Sequence, residues 1–133
     1  MDSLHMPMVS ALCAGLLIIL HTVLLILVIK KRAQHEQGIG DGGHADLELA
    51  IRRHGNLVEN APMFIIALAL LELYSGAVLS VSVLGYAFVI GRMLHAIGLS
   101  KNGETNVPRF LGATTTMLCN FGVGGFLVYI ALM

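Results

Sequence analysis

Three short stretches carry the side chains that could do chemistry in an otherwise apolar chain. In "RRHGNLVENAP", Arg52, Asn56 and Glu59 stand at i, i+4 and i+7, so on a helix they share one face over ~10 Å. In "GRMLH", Arg92 and His95 stand at i and i+3 and share a face in the same way. Arg109 follows Pro108 at the head of the last apolar run. Three guanidiniums are thus set against one carboxylate. An excess of positive charge at the ends of apolar runs suits an anionic ligand, with Glu59 placed to hold an ammonium. A small zwitterion with several carboxylates fits that pattern. Glu59 and Arg92 each sit about a turn or more inside an apolar segment, where ionisable groups usually face a bundle interior or a cavity. The plainer alternative for Glu59 is an ion pair with Arg52, Arg92 or His95 and no further role.

Other chemistries find less support. His5, His21, His35 and His44 are scattered, and no His or Cys pair has ligand spacing, so a metal site is not expected. No G-x-S-x-G, P-loop or dinucleotide fingerprint occurs, and "GDGG" reads as a turn. Cys13 and Cys119 lie inside apolar segments and read as small hydrophobes, not as a disulfide or a nucleophile. His21, in the middle of a segment, reads as a helix-contact residue.

The elements that must position these groups are membrane helices. Of 133 residues, 56% are hydrophobic and 12% charged, half the ~25% charge of a soluble domain. With a mean hydropathy of +0.83, this indicates one integral membrane domain over residues 1–133. A net charge of zero removes the electrostatic case for nucleic acid. Apolar segments at about 8–29, 57–73, 78–99 and 110–132 each approach the ~20 residues that cross a hydrocarbon core. They predict an all-α bundle of four transmembrane helices. The N-terminus has no basic n-region and its segment is too long for a signal-peptide core, so it reads as an uncleaved first span.

Between the first two segments, a glycine-rich turn at 38–43 precedes a helix that Asp41 or His44 could cap. Helix 2 is therefore expected to begin outside the membrane, and Pro62 to kink it where it enters the core. The short "YSGA" link makes helices 2 and 3 antiparallel neighbours, while "SKNGETNVPR" is a polar turn-rich link. Every Lys and Arg falls at one edge: Lys30, Lys31, Arg32, Arg52 and Arg53 around the first loop, and Arg92, Lys101 and Arg109 around the third. Positive charge marks the cytoplasmic side, so both termini should face outward. Lys30, Lys31, Arg32, Arg53 and Lys101 read as snorkelling anchors, with Lys31 also open to a ligand role.

In this arrangement the residues resemble a family. Arg52-x-x-x-Asn56-x-x-Glu59-x-x-Pro62 is similar to the signature of the MAPEG superfamily, the membrane-associated proteins of eicosanoid and glutathione metabolism. Gly91-Arg92-x-x-His95 resembles its second motif, and Arg109 after Pro108 its third. Three motifs in order cover the whole chain, and the spare loops resemble the short bacterial branch. The resemblance implies a left-handed four-helix bundle assembled as a homotrimer, with sites between neighbouring subunits. It implies glutathione as co-substrate at the cytoplasmic edge of the inner membrane. Arg52, His54, Asn56, Glu59, Arg92 and His95 would line that site, with Lys31 reaching in from helix 1. Arg109 matches the arginine that activates the thiol. A guanidinium favours thiolate over thiol, and each unit by which the thiol pKa falls corresponds to ~1.4 kcal/mol. The thiolate would attack a hydrophobic electrophile arriving through the bilayer, or a lipid hydroperoxide: a glutathione transferase or peroxidase.

There is one departure. The eicosanoid enzymes place an aromatic hydroxyl one turn after the His95 position, and here that residue is Leu99. A hydrogen bond to glutathione is therefore missing or supplied elsewhere, and Gly98 leaves that wall small. Gly112, Gly122, Gly124 and Gly125 read as close-packing positions of helix 4. Two further readings remain. One is a catalytically idle trimer that keeps the fold to bind glutathione or lipid. The other is a small multidrug-type transporter, which wants a carboxylate near the bilayer midplane, commonly in helix 1. Helix 1 has no acidic residue, and one-sided charge argues against a dual-topology dimer.

Overall fold

The computed structural model describes residues 6–99 and 104–133; His5 and Lys101 lie outside the described residues. Among the described residues four helices follow one another: α1 (Met8–His35), α2 (Ala45–Ser75), α3 (Val78–Gly98) and α4 (Val107–Leu132). Among the described residues there is no strand. All four helices are long and apolar enough to cross a membrane. In lipid a backbone must satisfy its own donors and acceptors, so apolar runs of this length become helices.

Two of the helices outrun their apolar segments. α1 continues through Lys30 to His35, and α2 begins at Ala45, ahead of the apolar run that starts at Leu57. The residues of α2 before Leu57 carry it ~18 Å beyond that run. Asp46 and Glu48 in its first turn complement the helix dipole. His44 is the N-cap, but through its backbone: its carbonyl accepts from Leu47 and Glu48, and its side chain makes no cap bond. Asp41 shapes the preceding turn instead, accepting from the Gly43 amide at 2.9 Å. Arg32 Nη1 gathers the same loop, donating to the carbonyls of Gln37, Gly38 and Gly40 at 3.2, 3.0 and 3.0 Å. Gly40 and Gly43 take φ values of 68° and 80° there, a region that costs any residue with a Cβ.

Only Gly76 and Ala77 separate α2 from α3. Pro62 is exposed inside α2, which runs unbroken through it and loses the one donor that would serve the Val58 carbonyl. α3 packs most extensively on α4 and α1 on α2, while α1 and α4 do not meet among the described residues. Phe64 and Phe88 stack at the centre, ring centroids 3.7 Å apart and 3° from parallel. Cys13 and Cys119 are free thiols buried in this core. The α3–α4 crossing is tight: a Cβ on Gly112 would stand 2.6 Å from the His95 amide nitrogen. A Cβ on Gly122 would stand 2.9 Å from Leu84, whereas Gly124 and Gly125 face open space. Of the four helix 4 glycines, two are packing positions.

Glu72, at the end of α2 opposite the basic edge, is buried without a cation among the described residues. Its carboxylate accepts from the Val9 and Ser10 amides at 3.0 and 2.8 Å and from Ser10 Oγ at 2.6 Å. These are orphan donors of the first turn of α1, whose N-cap Pro7 supplies no side-chain bond. One helix caps another.

Candidate functional site

At the basic edge, α2, α3 and α4 bring four polar residues together. Arg92 Nη1 donates to Asn56 Oδ1 at 2.7 Å and lies 3.4 Å from the Asn56 carbonyl oxygen. Arg92 is 3% exposed. Its Cζ stands 5.9 Å from the Phe88 ring centroid, and its Nε is buried with no hydrogen-bond partner. Among the described residues it has no carboxylate partner. A buried cation satisfied only in part is costly.

His95, one turn further along α3, is also buried, and its backbone lies against Gly112 of α4. Arg109 reaches this group because α3 and α4 touch through small residues. A Cβ on Gly98 would stand 2.8 Å from Arg109 Cα and 2.8 Å from Asn106 Oδ1. Gly98 is thus the seat of the α4 N-terminus, beyond leaving an open wall. Asn106 fixes that seat: Oδ1 accepts from the Arg109 amide at 3.1 Å, and Nδ2 donates to the Gly98 carbonyl at 2.7 Å. Arg109 Nη1 stands 3.4 Å from the Glu104 carbonyl oxygen. An Asn just before a Pro-containing helix start is the sequence signal that could have singled out Asn106.

The other expected site residues are placed differently. Asn56 alone of its trio turns into the bundle; Arg52 and Glu59 are exposed and make no ion pair among the described residues. The face they share is wide: at ~100° per residue, Asn56 is rotated ~40° from Arg52 and ~60° from Glu59. His54 meets His21 of α1, Nε2 to Nε2 at 3.0 Å with ring centroids 4.8 Å apart. One ring must donate and the other accept. His21 is therefore a helix contact, with His54 as its partner.

Lys31 pairs with Asp46 Oδ2 at 2.8 Å and donates to Gln34 Oε1 at 2.9 Å. His35 Nε2 holds Asp46 Oδ1 at 2.9 Å. On the part of α2 ahead of the apolar run, the Lys31 ammonium first and His35 second hold the Asp46 carboxyl well below the usual carboxylate range. Arg53 donates to the Leu99 carbonyl. The residue that stands where eicosanoid enzymes carry an aromatic hydroxyl thus contributes its backbone.

Four helices able to cross a membrane, with a buried guanidinium and imidazole on α3 next to the arginine that opens α4, define a multi-pass membrane protein with a polar site at one edge. Residues 10–129 match the family described as MAPEG, and the chain belongs to that family. The protein called "Inner membrane protein YecN" in Escherichia coli strain K12 is 36% identical over 91 residues, covering 68% of this chain and 70% of the relative. Its namesake in Escherichia coli O6:H1 matches with the same identity and coverage. No solved structure matches the chain.

Proposed function

We propose that this protein is a glutathione-dependent transferase or peroxidase of the inner membrane, acting on hydrophobic electrophiles or lipid hydroperoxides. The observation that carries this reading is Arg92: a buried guanidinium with no carboxylate partner among the described residues, one turn from His95 on the helix whose end seats Arg109. Glutathione brings two carboxylates, an ammonium and a thiol. Arg92, held by Asn56, and Arg52 take the carboxylates, and Glu59 takes the ammonium. His54 and His95 complete the polar wall, with Lys31 at its margin.

Arg109 stabilises the thiolate. In conjugation that sulfur forms a bond to the electrophilic carbon while the leaving group departs with its electron pair. With a hydroperoxide the thiolate attacks the terminal oxygen, an S–O bond forms as the O–O bond breaks, and the lipid alkoxide takes up a proton to leave as an alcohol. A second glutathione then reduces the sulfenic acid to the disulfide, releasing water. Arg52 and Glu59, exposed on one protomer, suit a site completed by a second subunit, in keeping with a homotrimer. The one-sided basic charge supports a site at the cytoplasmic face, with both termini outside.

Leu99 favours a second reading, a trimer that binds glutathione or lipid without turnover. Thermal stabilisation of the purified protein by glutathione tests binding, and turnover with a generic aromatic electrophile tests catalysis. Arg109→Leu is expected to abolish thiolate absorbance and conjugation while oligomer size stays the same. An unchanged conjugation rate in that variant would sink the assignment, and stabilisation without turnover supports the idle trimer.

A further inference from the structure

Two adjoining cavities open along α1 at the basic edge. The outer one, of about 330 Å³, is headed by Lys30, Lys31 and Arg53 with Asp46 opposite. The inner one, of about 370 Å³, lies between α1 and α3 against Leu20, Met93 and Ile97. Leu24, Leu27 and Arg53 line both, so they form one groove with a charged head and an apolar body.

The head holds positive charge that the protein does not neutralise. Three cations face one carboxylate, and Asp46 is already shared by Lys31 and His35. Lys30 is exposed and makes no ion pair among the described residues. Arg53 gives one guanidinium nitrogen to the Leu99 carbonyl, while its Nε is buried without a partner. Such a head suits an anion with several acceptor oxygens.

The body sets the rest of the ligand. From Lys30 to Leu20 the groove follows α1 for ~15 Å, half of the ~30 Å hydrocarbon core and thus one leaflet. A hydrophilic tripeptide has nothing to fill that length; an acyl chain does. The head also lies at the bundle edge and the body points toward the membrane interior, as in a phospholipid. Basic pockets between helices at a membrane edge take anionic headgroups.

We infer that this groove binds an anionic phospholipid, its phosphate against Lys30 and Arg53 and one acyl chain lying between α1 and α3. The lipid neutralises the head and fills the groove between α1 and α3. Lys30 and Arg53 are then ligand groups as well as anchors. The inference shares only Lys31 with the glutathione reading, rests its phosphate contacts on Lys30 and Arg53, and needs no turnover.

The test uses the purified full-length protein in detergent, with bound lipid counted by native mass spectrometry and stability followed by thermal unfolding. The probes are dioleoyl phosphatidylglycerol, dioleoyl phosphatidylcholine and inorganic phosphate. Phosphatidylglycerol is expected to bind about thirtyfold tighter than phosphatidylcholine, in line with two basic contacts, and to raise the unfolding midpoint. Inorganic phosphate, which has the head chemistry without the tail, is expected to do neither. Lys30→Gln, an exposed change that should not disturb folding, is expected to weaken phosphatidylglycerol about fivefold. Leu27→Trp, which fills the groove, should weaken it as well, whereas Arg52→Gln, an equal loss of charge outside the groove, should not. Equal affinity for the two lipids, an equal loss in Arg52→Gln, or stabilisation by phosphate alone would each overturn the proposal.

Discussion

Asn56 and Arg92 join α2 to α3 through one charge-assisted hydrogen bond, Asn56 Oδ1 to Arg92 Nη1 at 2.7 Å. The asparagine supplies an acceptor but no charge, so the guanidinium stays cationic and available in a buried place. Asn56→Ala removes the acceptor and should cost about 1.5–3 kcal/mol, the range for hydrogen bonds to charged groups. Asn56→Asp supplies the missing anion at the same shape. It should keep or raise the unfolding midpoint while weakening stabilisation by glutathione, because the arginine is then already paired. If Asn56→Asp unfolds as easily as Asn56→Ala, the contact is not what holds Arg92.

The closeness of α3 and α4 rests on Gly112. A methyl there would stand 2.6 Å from the His95 amide nitrogen and 2.8 Å from its Cβ, and neither backbone can yield. Gly112→Ala should therefore destabilise by about 1–3 kcal/mol, as overpacking does, and move His95. Gly124→Ala meets no atom within 4 Å and should stay within about 1 kcal/mol of the parent, with helix propensity in its favour. Denaturant unfolding of the pair checks this, and similar losses in both would argue against the tight crossing.

Glu72 predicts a different kind of loss, at the opposite end of the bundle. Glu72→Ala strands the Val9 and Ser10 amides and the Ser10 hydroxyl, and should cost about 2 kcal/mol or more. Because the group caps α1 and lies away from the basic edge, any residual fold should still respond to glutathione. Hydrogen exchange of the first turn of α1 is the readout, and unchanged protection there would refute the capping role.

The Lys31–Asp46–His35 cluster gives the protein a defined acid response. The folded state depresses the Asp46 carboxyl, chiefly through Lys31, below the ~3.9 of an unfolded chain. Such a group binds a proton less readily when folded. Its stabilisation is complete above that unfolded value and fades as pH falls below it. Asp46→Asn should lower stability at neutral pH, and the gap between variant and parent should narrow below pH ~4. A gap constant across that range would show that Asp46 contributes nothing through its charge.

Much of the architecture was legible in the chain. The spans at 8–29, 57–73 and 110–132 fall inside the observed helices, and the span at 78–99 ends one residue late, on the Leu99 C-cap. The reason is that runs of this length leave a membrane backbone no alternative to helix. Arg92, His95 and Arg109 were also legible as neighbours, because antiparallel helices bring the end of α3 and the start of α4 to one edge. Asn106 was legible in principle as an N-cap. Glu72 and Asp46 were not, since their partners lie 62 and 15 residues away in sequence, and no local pattern announces them.

The sequence by itself determined which segments are helices, which edge is basic and which residues share a helix face. The tertiary structure decided which neighbour meets each face. Helical periodicity puts Arg52, Asn56 and Glu59 together, but packing against α3 admits only Asn56 and leaves the other two outside. Likewise His54 turns to His21, Lys31 to Asp46 and Arg53 to the Leu99 carbonyl. A 3.6-residue period fixes a direction around one axis; the partner found in that direction depends on how four axes are set against each other, which no single segment encodes.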